Sequence, residues 1–205
     1  MTAGQLFFDP HQRATMAAAM ARIIPADDTP GALEANTIRW LDRYLSGTGY
    51  VRALPDGSGF EVLSGREERV WAARIGRLRE QYTAGVLELD RRGRERFGAD
   101  FADLAQARQD AVLAEVEQHA RAEAPAARRS NQNTFDERTA SFFELLVVHT
   151  RQAFYSDPVY GGNQDRVGWH VIGFDGPDSL ADVQAGRYST DAYLADPSPG
   201  RTVTE

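Results

Sequence analysis

Residues 134–174 read TFDERTASFFELLVVHTRQAFYSDPVYGGNQDRVGWHVIGF, and the reading of this stretch decides the fold. Thr134 and Glu137 stand three apart, the spacing at which each side chain can satisfy the other's free backbone N–H at a helix start. The segment Phe142-Phe143-Glu144-Leu145-Leu146-Val147-Val148 that follows carries a single charge. A helix that is apolar nearly all the way round must be surrounded by other protein. Asp157-Pro158 stops it, because proline offers no N–H and disfavours a helical residue before it. Tyr160-Gly161-Gly162-Asn163, Gly168-Trp169 and Ile172-Gly173-Phe174 come next. The stretch therefore predicts a buried helix, a forced stop, a glycine-rich turn and a group of rings that can form a shaped surface.

Outward from this helix the chain reads as more helices. Asp9 is a good N-cap, Pro10 suits the first helical position, and Gln12 can close the capping box. Met16, Met20 and Ile23 or Ile24 then form one stripe before Pro25. A second helix is expected with Thr29 as cap and Pro30 in its first turn. Its inner side is Ala35, Ile38, Leu41 or Asp42, and Leu45, with Trp40 and Tyr44 one turn apart on a neighbouring face. Leu54-Pro55-Asp56-Gly57-Ser58-Gly59 reads as a turn, at most a short hairpin. Ser64 and Glu67 repeat the capping-box spacing ahead of a long amphipathic helix through Trp71, Ile75, Leu78, Tyr82 and Leu89. Its arginine-rich end, residues 91–96, is expected to fray before Gly98. Asp100 caps a fourth, peripheral helix to about Ala122, with Leu104, Ala107, Ala111 and Val112 or Val116 inward. Residues 124–133 form a connector suited to a loop. The prediction is an all-α domain of about five helices over residues 1–175, followed by an irregular tail at 176–205 that could wrap a partner. Tyr188, Tyr193 and Leu194 are the sizeable apolar anchors of that tail.

Composition removes whole classes of function. The 205 residues include no cysteine and no lysine, since all 23 basic residues are arginine. Disulfides, cysteine-ligated zinc, iron–sulfur clusters and covalent haem attachment within the chain are excluded, and so are Walker-A phosphate binding and Schiff-base catalysis. A formal net charge of −7 argues against general binding to nucleic acid or anionic membrane. No segment approaches the roughly 20 apolar residues that cross a bilayer. MTAGQLFFDP has no basic n-region, apolar core or twin arginine, so a cytoplasmic protein is expected. A periplasmic one is the alternative if a leader has been trimmed.

Several motifs carry a chemical reading beside a plainer one. Gly57-Ser58-Gly59 could open a dinucleotide fingerprint, but Val62 stands where the next glycine is needed, so a turn is expected. Asp27-Asp28 lacks the alternating oxygens of a calcium loop and suits negative charge ahead of a helix. No two of His11, His119, His149 and His170 have ligand spacing on one helix, so no metal site is expected. His149 falls on the stripe Phe142, Leu146, His149, Ala153 and reads as a hydrogen-bonded core residue rather than a catalytic one. His170 beside Trp169 is more exposed by context and could border a neighbouring active site. The Tyr160 to Asn163 turn is either a tight turn after Pro158 or a docking turn. Tyr160, Gly161, Gly162, Asn163, Arg166, Trp169, His170 and Phe174 are the candidate partner-interface residues, with Arg151 as a further anchor. The same rings could equally be pinned onto the domain's own core. No catalytic, cofactor-binding or metal-binding residue is predicted.

Two blocks of the chain resemble one known family. HTRQAFYSDPVYGGNQDRVGWHVIGFDGP is similar to the C-terminal signature of the gluconate 2-dehydrogenase subunit 3 family, and FFDPHQRATMAAAMARIIPADDTPGALEANTIRWLDRYLSG to its opening motif. The resemblance implies a small, non-catalytic subunit of a sugar or sugar-acid dehydrogenase. In such complexes a large flavoprotein resembling the glucose–methanol–choline oxidoreductases carries FAD and oxidises the sugar. The small subunit is expected to bind, stabilise and help mature it, and a cytochrome can accept the electrons. Two alternatives are a subunit that also lends residues to the rim of the partner's substrate pocket, and a free-standing helical binding module.

Overall fold

The structure is a computed structural model that describes residues 6–123, 135–174 and 176. Among the described residues six helices run in order: α1 (Pro10–Ile23), α2 (Thr37–Ser46), α3 (Gly65–Phe97), α4 (Gln106–Glu123), α5 (Phe142–Tyr155) and the short α6 (Val167–Val171). The described residues contain no strand. An isolated antiparallel bridge between Ala53 and Phe60 closes the expected hairpin. The connector at 124–133, the tail beyond residue 176 and Thr134 lie outside the described residues.

α1 forms as its local signals require. Asp9 accepts from the Gln12 N–H while the Gln12 side chain accepts from the Asp9 N–H, and Pro10 fills the first turn. Thr15, Met16, Ala19 and Met20 are buried, and α1 touches each of α2, α3, α4 and α5. α5 carries Leu145, Leu146, His149, Thr150, Ala153 and Phe154 into the core. α3 is 33 residues long, about 50 Å at 1.5 Å per residue, and spans the whole body. It meets α5 where Gly85 lacks a side chain: a Cβ there would lie 2.2 Å from the Phe142 ring, and that ring also stands edge-on to Tyr82. Only glycine allows this approach.

Four expected helix starts or caps differ, and in two of them a distant arginine takes the carboxylate that local spacing assigned to the cap. α5 starts at Ser141, whose side chain accepts from the Glu144 N–H, while Glu137 lies in the preceding turn and pairs with Arg74 of α3. α2 starts at Thr37 rather than near Thr29. Asp27 instead accepts from the N–H and hydroxyl of Thr29, and Gly31 lies directly against the backbone of Ile24 to Ala26. Ser64 makes no side-chain cap because Glu67 pairs with Arg52. Asp100 precedes a single 3-10 turn, and α4 begins only at Gln106, so its inner side is Gln109, Val112, Leu113 and Val116 while Ala107 faces solvent. Residues 91–96 do not fray. Arg91, Arg92, Arg94 and Arg96 pair with Glu88, Glu95, Asp100 and Glu115, and the helix runs on to a left-handed Gly98 cap.

Two buried carboxylates fasten the N-terminal end of α1. Asp42 accepts the N–H groups of Phe7 and Phe8 at 2.8 and 3.0 Å and pairs with Arg13 at 2.5 Å. Asp90 accepts from the Phe101 N–H and meets His11 at 2.7 Å, which raises the His11 pKa. Buried charges are tolerated only when paired in this way.

Candidate functional site

The predicted docking segment begins where α5 ends. Asp157 accepts from the Val159 N–H and starts a 3-10 turn through Tyr160, and the chain then passes through Gly161 at φ +103°. Gly162 lies so close to α5 that a Cβ would sit 2.2 Å from the Ala153 carbonyl oxygen and 3.1 Å from Trp40. Asn163 is fully buried in the left-handed region, where asparagine is among the few residues tolerated. Its amide donates to the Ser156 carbonyl at 2.9 Å, and its carbonyl oxygen accepts from the Gly168 N–H at 2.7 Å. One side chain thus ties the end of α5 to the start of α6. Asp165 and Arg166 also adopt positive φ, so the path between is tightly coiled.

α6 then lies directly on α5. At Gly168 a Cβ would fall 1.9 Å from the Phe154 carbonyl oxygen. Trp169 is buried, and its indole N–H donates to the Tyr155 carbonyl at 2.8 Å. The Trp169 ring stands edge-on to Phe174 at 5.2 Å. Beyond Trp169 the chain turns outward. His170 is exposed, Val171 is 39% exposed, Ile172 57% and Phe174 38%, with Tyr155 at 40%.

The candidate residues therefore divide. Gly161, Gly162, Asn163 and Trp169 are spent on the chain's own body, Tyr160 and Arg166 are half-buried, and His170 and Phe174 face solvent. Arg151 is exposed on α5. Val171, Ile172 and Tyr155 complete the exposed apolar rim and were not among the predicted interface residues. The run Val171-Ile172 just past a tryptophan was the available signal.

Tyr160 also forms part of a cleft of about 450 Å3 between α2, α3, α5 and the hairpin. Its walls are Trp40, Tyr44, Tyr50, Trp71, Tyr155 and Tyr160, with Val51, Gln152 and Ser156. The Tyr160 hydroxyl accepts from the Ala53 N–H of the hairpin, and Phe60 stacks edge-on against both Tyr50 and Tyr160. Arg43 lies over the Tyr50 and Phe60 rings. The placement of Trp40 and Tyr44 beside the buried stripe of α2 was legible, but the other walls come from distant parts of the chain.

Behind this cleft lies the polar centre of the core. His149 is buried, with Trp40 and Tyr44 5.8 and 5.9 Å from its ring on the cleft side. Its Nδ1 is 2.8 Å from the Tyr82 hydroxyl, and the two rings stack. Its Nε2 has no hydrogen-bond partner and faces Glu137 Oε2 at 3.8 Å, within reach of charge but beyond a hydrogen bond. Arg74 Nε donates to Glu137 at 2.6 Å and its Nη2 completes the fork. Burial works against ionisation of Glu137, yet His149 and Arg74 overcome it and hold the carboxyl at about 2. Burial pushes the Tyr44 phenol up to about 12 and the Tyr82 phenol well above its ordinary value. Both phenols therefore stay protonated at neutral pH. His149 is buried and hydrogen-bonded to Tyr82, the core role expected for it. Among the described residues no group of three His, Asp or Glu side chains could hold a metal ion, and no helix is long and apolar enough to cross a membrane.

Fold and site together define a helical domain with His149 buried at its centre and a group of exposed apolar side chains, Tyr155, Val171, Ile172 and Phe174, around the end of α5, with further exposed apolar residues at Leu33, Val62, Val70 and Leu87. The model of the family "Gluconate 2-dehydrogenase subunit 3" matches residues 10–176. The chain belongs to that family. Comparison with curated proteins and with solved structures gives no match.

Proposed function

We propose that this chain is the non-catalytic small subunit of an FAD-dependent sugar or sugar-acid dehydrogenase, and that it holds a flavoprotein large subunit through the rim at the end of α5 and α6. The observation that carries this reading is the group of exposed apolar side chains, Tyr155, Val171, Ile172 and Phe174, mounted on a backbone that Gly162, Asn163 and Gly168 pin to the core. An apolar rim on a rigid support is what a specific interface needs, because little conformational entropy is lost on docking. Family membership supports assembly into a dehydrogenase complex. The FAD, the substrate pocket and any electron-accepting cytochrome belong in this reading to other chains. By binding the folded large subunit, the chain stabilises it by RT ln(1+[L]/Kd).

The test is affinity purification from the native host with identification of the co-purifying protein and a visible spectrum. A flavoprotein that co-purifies in fixed ratio and shows flavin absorption supports the proposal. A tag-purified chain that comes down alone, or that itself carries the flavin, overturns it. His170 is exposed beside Val171 of the rim, which favours one extension: it could border the partner's substrate pocket. In the assembled complex, His170→Ala would then lower kcat with assembly intact.

A further inference from the structure

The aromatic cleft adjoins the rim through Tyr155 but has a chemistry of its own. Among the described residues six rings line it with one valine, and besides the tyrosine hydroxyls and indole N–H groups its polar side chains are the neutral Gln152 and Ser156. Such walls accept a flat or branched apolar side chain and hold no ionised group that could pair with a buried carboxylate. The charges stand at its edge. Arg43 lies over Tyr50, and Arg43 and Arg39 flank Gly161, the neighbour of the wall residue Tyr160. Among the described residues neither arginine pairs with a carboxylate; the Arg43 guanidinium donates only to the Val159 carbonyl. An aromatic box with unpaired cations at its lip fits an acidic segment that carries adjacent apolar side chains.

The chain itself contains such a segment. Gly176 is set against the Trp169 ring, and the indole of Trp169 is bonded to Tyr155, a wall of the cleft. From there 29 residues remain, with five acids against two arginines. Among them, YSTDAYLAD at 188–196 places Tyr193 and Leu194 between Asp191 and Asp196. The 12 residues from Gly176 to Tyr188 can span up to about 40 Å, ample for reaching any wall of the cleft. We infer that the aromatic cleft is the seat of this chain's own C-terminal segment 188–196, with Tyr193 and Leu194 between the rings and Asp191 and Asp196 toward Arg39 and Arg43. Exit point, reach, charge and side-chain type all agree on this occupant.

The full chain offers a clean test, because it has no cysteine and three tryptophans. Thr190→Cys carries a single nitroxide label, and the indole N–H signals of Trp40, Trp71 and Trp169 in nitrogen-15 spectra report its position. The expected result is strong broadening of the Trp40 and Trp71 signals, recovered when the nitroxide is reduced with ascorbate. Adding Tyr193→Ser and Leu194→Ser to the labelled chain should cut that broadening at least fivefold, and Arg39→Glu with Arg43→Glu should weaken it to a smaller degree. Trp40 and Trp71 signals untouched by the label would overturn the inference. So would broadening that survives the Tyr193 and Leu194 changes, since the contact would then lack the proposed anchors. Broadening seen only between nitrogen-15 chains and separately labelled chains would assign the cleft to a second copy, again against the inference. None of these outcomes depends on a flavoprotein partner, so this result and the subunit reading stand or fall separately.

Discussion

Residues 161–169 and residues 170–174 are neighbours that each carry glycine and large apolar side chains, and the structure treats them in opposite ways. In the first, Gly162, Asn163, Gly168 and Trp169 give their backbone and polar groups to α5 and disappear from the surface. In the second, Val171, Ile172 and Phe174 gain little from the core and stay exposed. The difference teaches that this segment has a support and a face. Three glycine and asparagine positions permit approaches that no larger side chain allows, and those approaches hold the exposed rim still.

Breaking the support should have the largest effect. Gly168→Ala puts a Cβ within 1.9 Å of the Phe154 carbonyl oxygen, a clash with backbone that no rotamer relieves. A loss of about 3 kcal/mol is expected, which lowers Tm by roughly 6–12 °C in a chain of this size. A melt within 2 °C of the parent would mean that α6 is not docked as described.

Asn163→Ala comes next. It strips two buried hydrogen bonds, to Ser156 and Gly168, and leaves alanine at φ +46°. About 2–3 kcal/mol should be lost in urea unfolding. Asn163→Gly would recover part of this by relieving the backbone, which separates the two contributions.

A third prediction sharpens the inside–outside contrast through pH. The folded-state pKa of Glu137 lies at about 2, below its ordinary range, so its contribution is present above the unfolded carboxylate range and disappears as pH falls toward 2. Glu137→Gln should cost about 1–2 kcal/mol at pH 7. The gap between parent and variant should close on acidification from about pH 5 to pH 2. A gap independent of pH would place the loss in packing rather than in charge. His11 runs the other way: with its pKa raised by Asp90, its contribution is present in acid and fades as pH rises above the ordinary histidine range.

The rim itself should give the smallest change in stability. Ile172→Ser with Phe174→Ser removes exposed apolar surface, so a shift of no more than about 0.5 kcal/mol is expected. Capture of the flavoprotein should nonetheless fall at least tenfold in pull-down titrations. Unchanged capture would separate the exposed rim from the partner surface.

How much was legible follows the range of the interaction. The Asp9, Pro10 and Gln12 start of α1, the periodic face of α3, the stop at Asp157-Pro158 and the Gly98 break are set by residues within one or two turns, and sequence alone determined them. The spacing of Thr134 and Glu137 points to a cap ahead of α5, yet the pair that caps the helix is Ser141 with Glu144. Tertiary structure chose Ser141, because Glu137 finds Arg74, 63 residues away, and faces His149. The glycine–asparagine turn was visible as a turn, but its burial was not, since the space it fills is made by Ala153, Trp40 and Phe154. The aromatic cleft has the same origin: rings from residues 40 to 160 meet only after the helices pack. Sequence by itself thus determined the helices and the family, whose signals are local or linear. Which rings were buried and which were left facing outward was decided by contacts between segments far apart in the chain, where the available volume and the competing carboxylates and carbonyls are set.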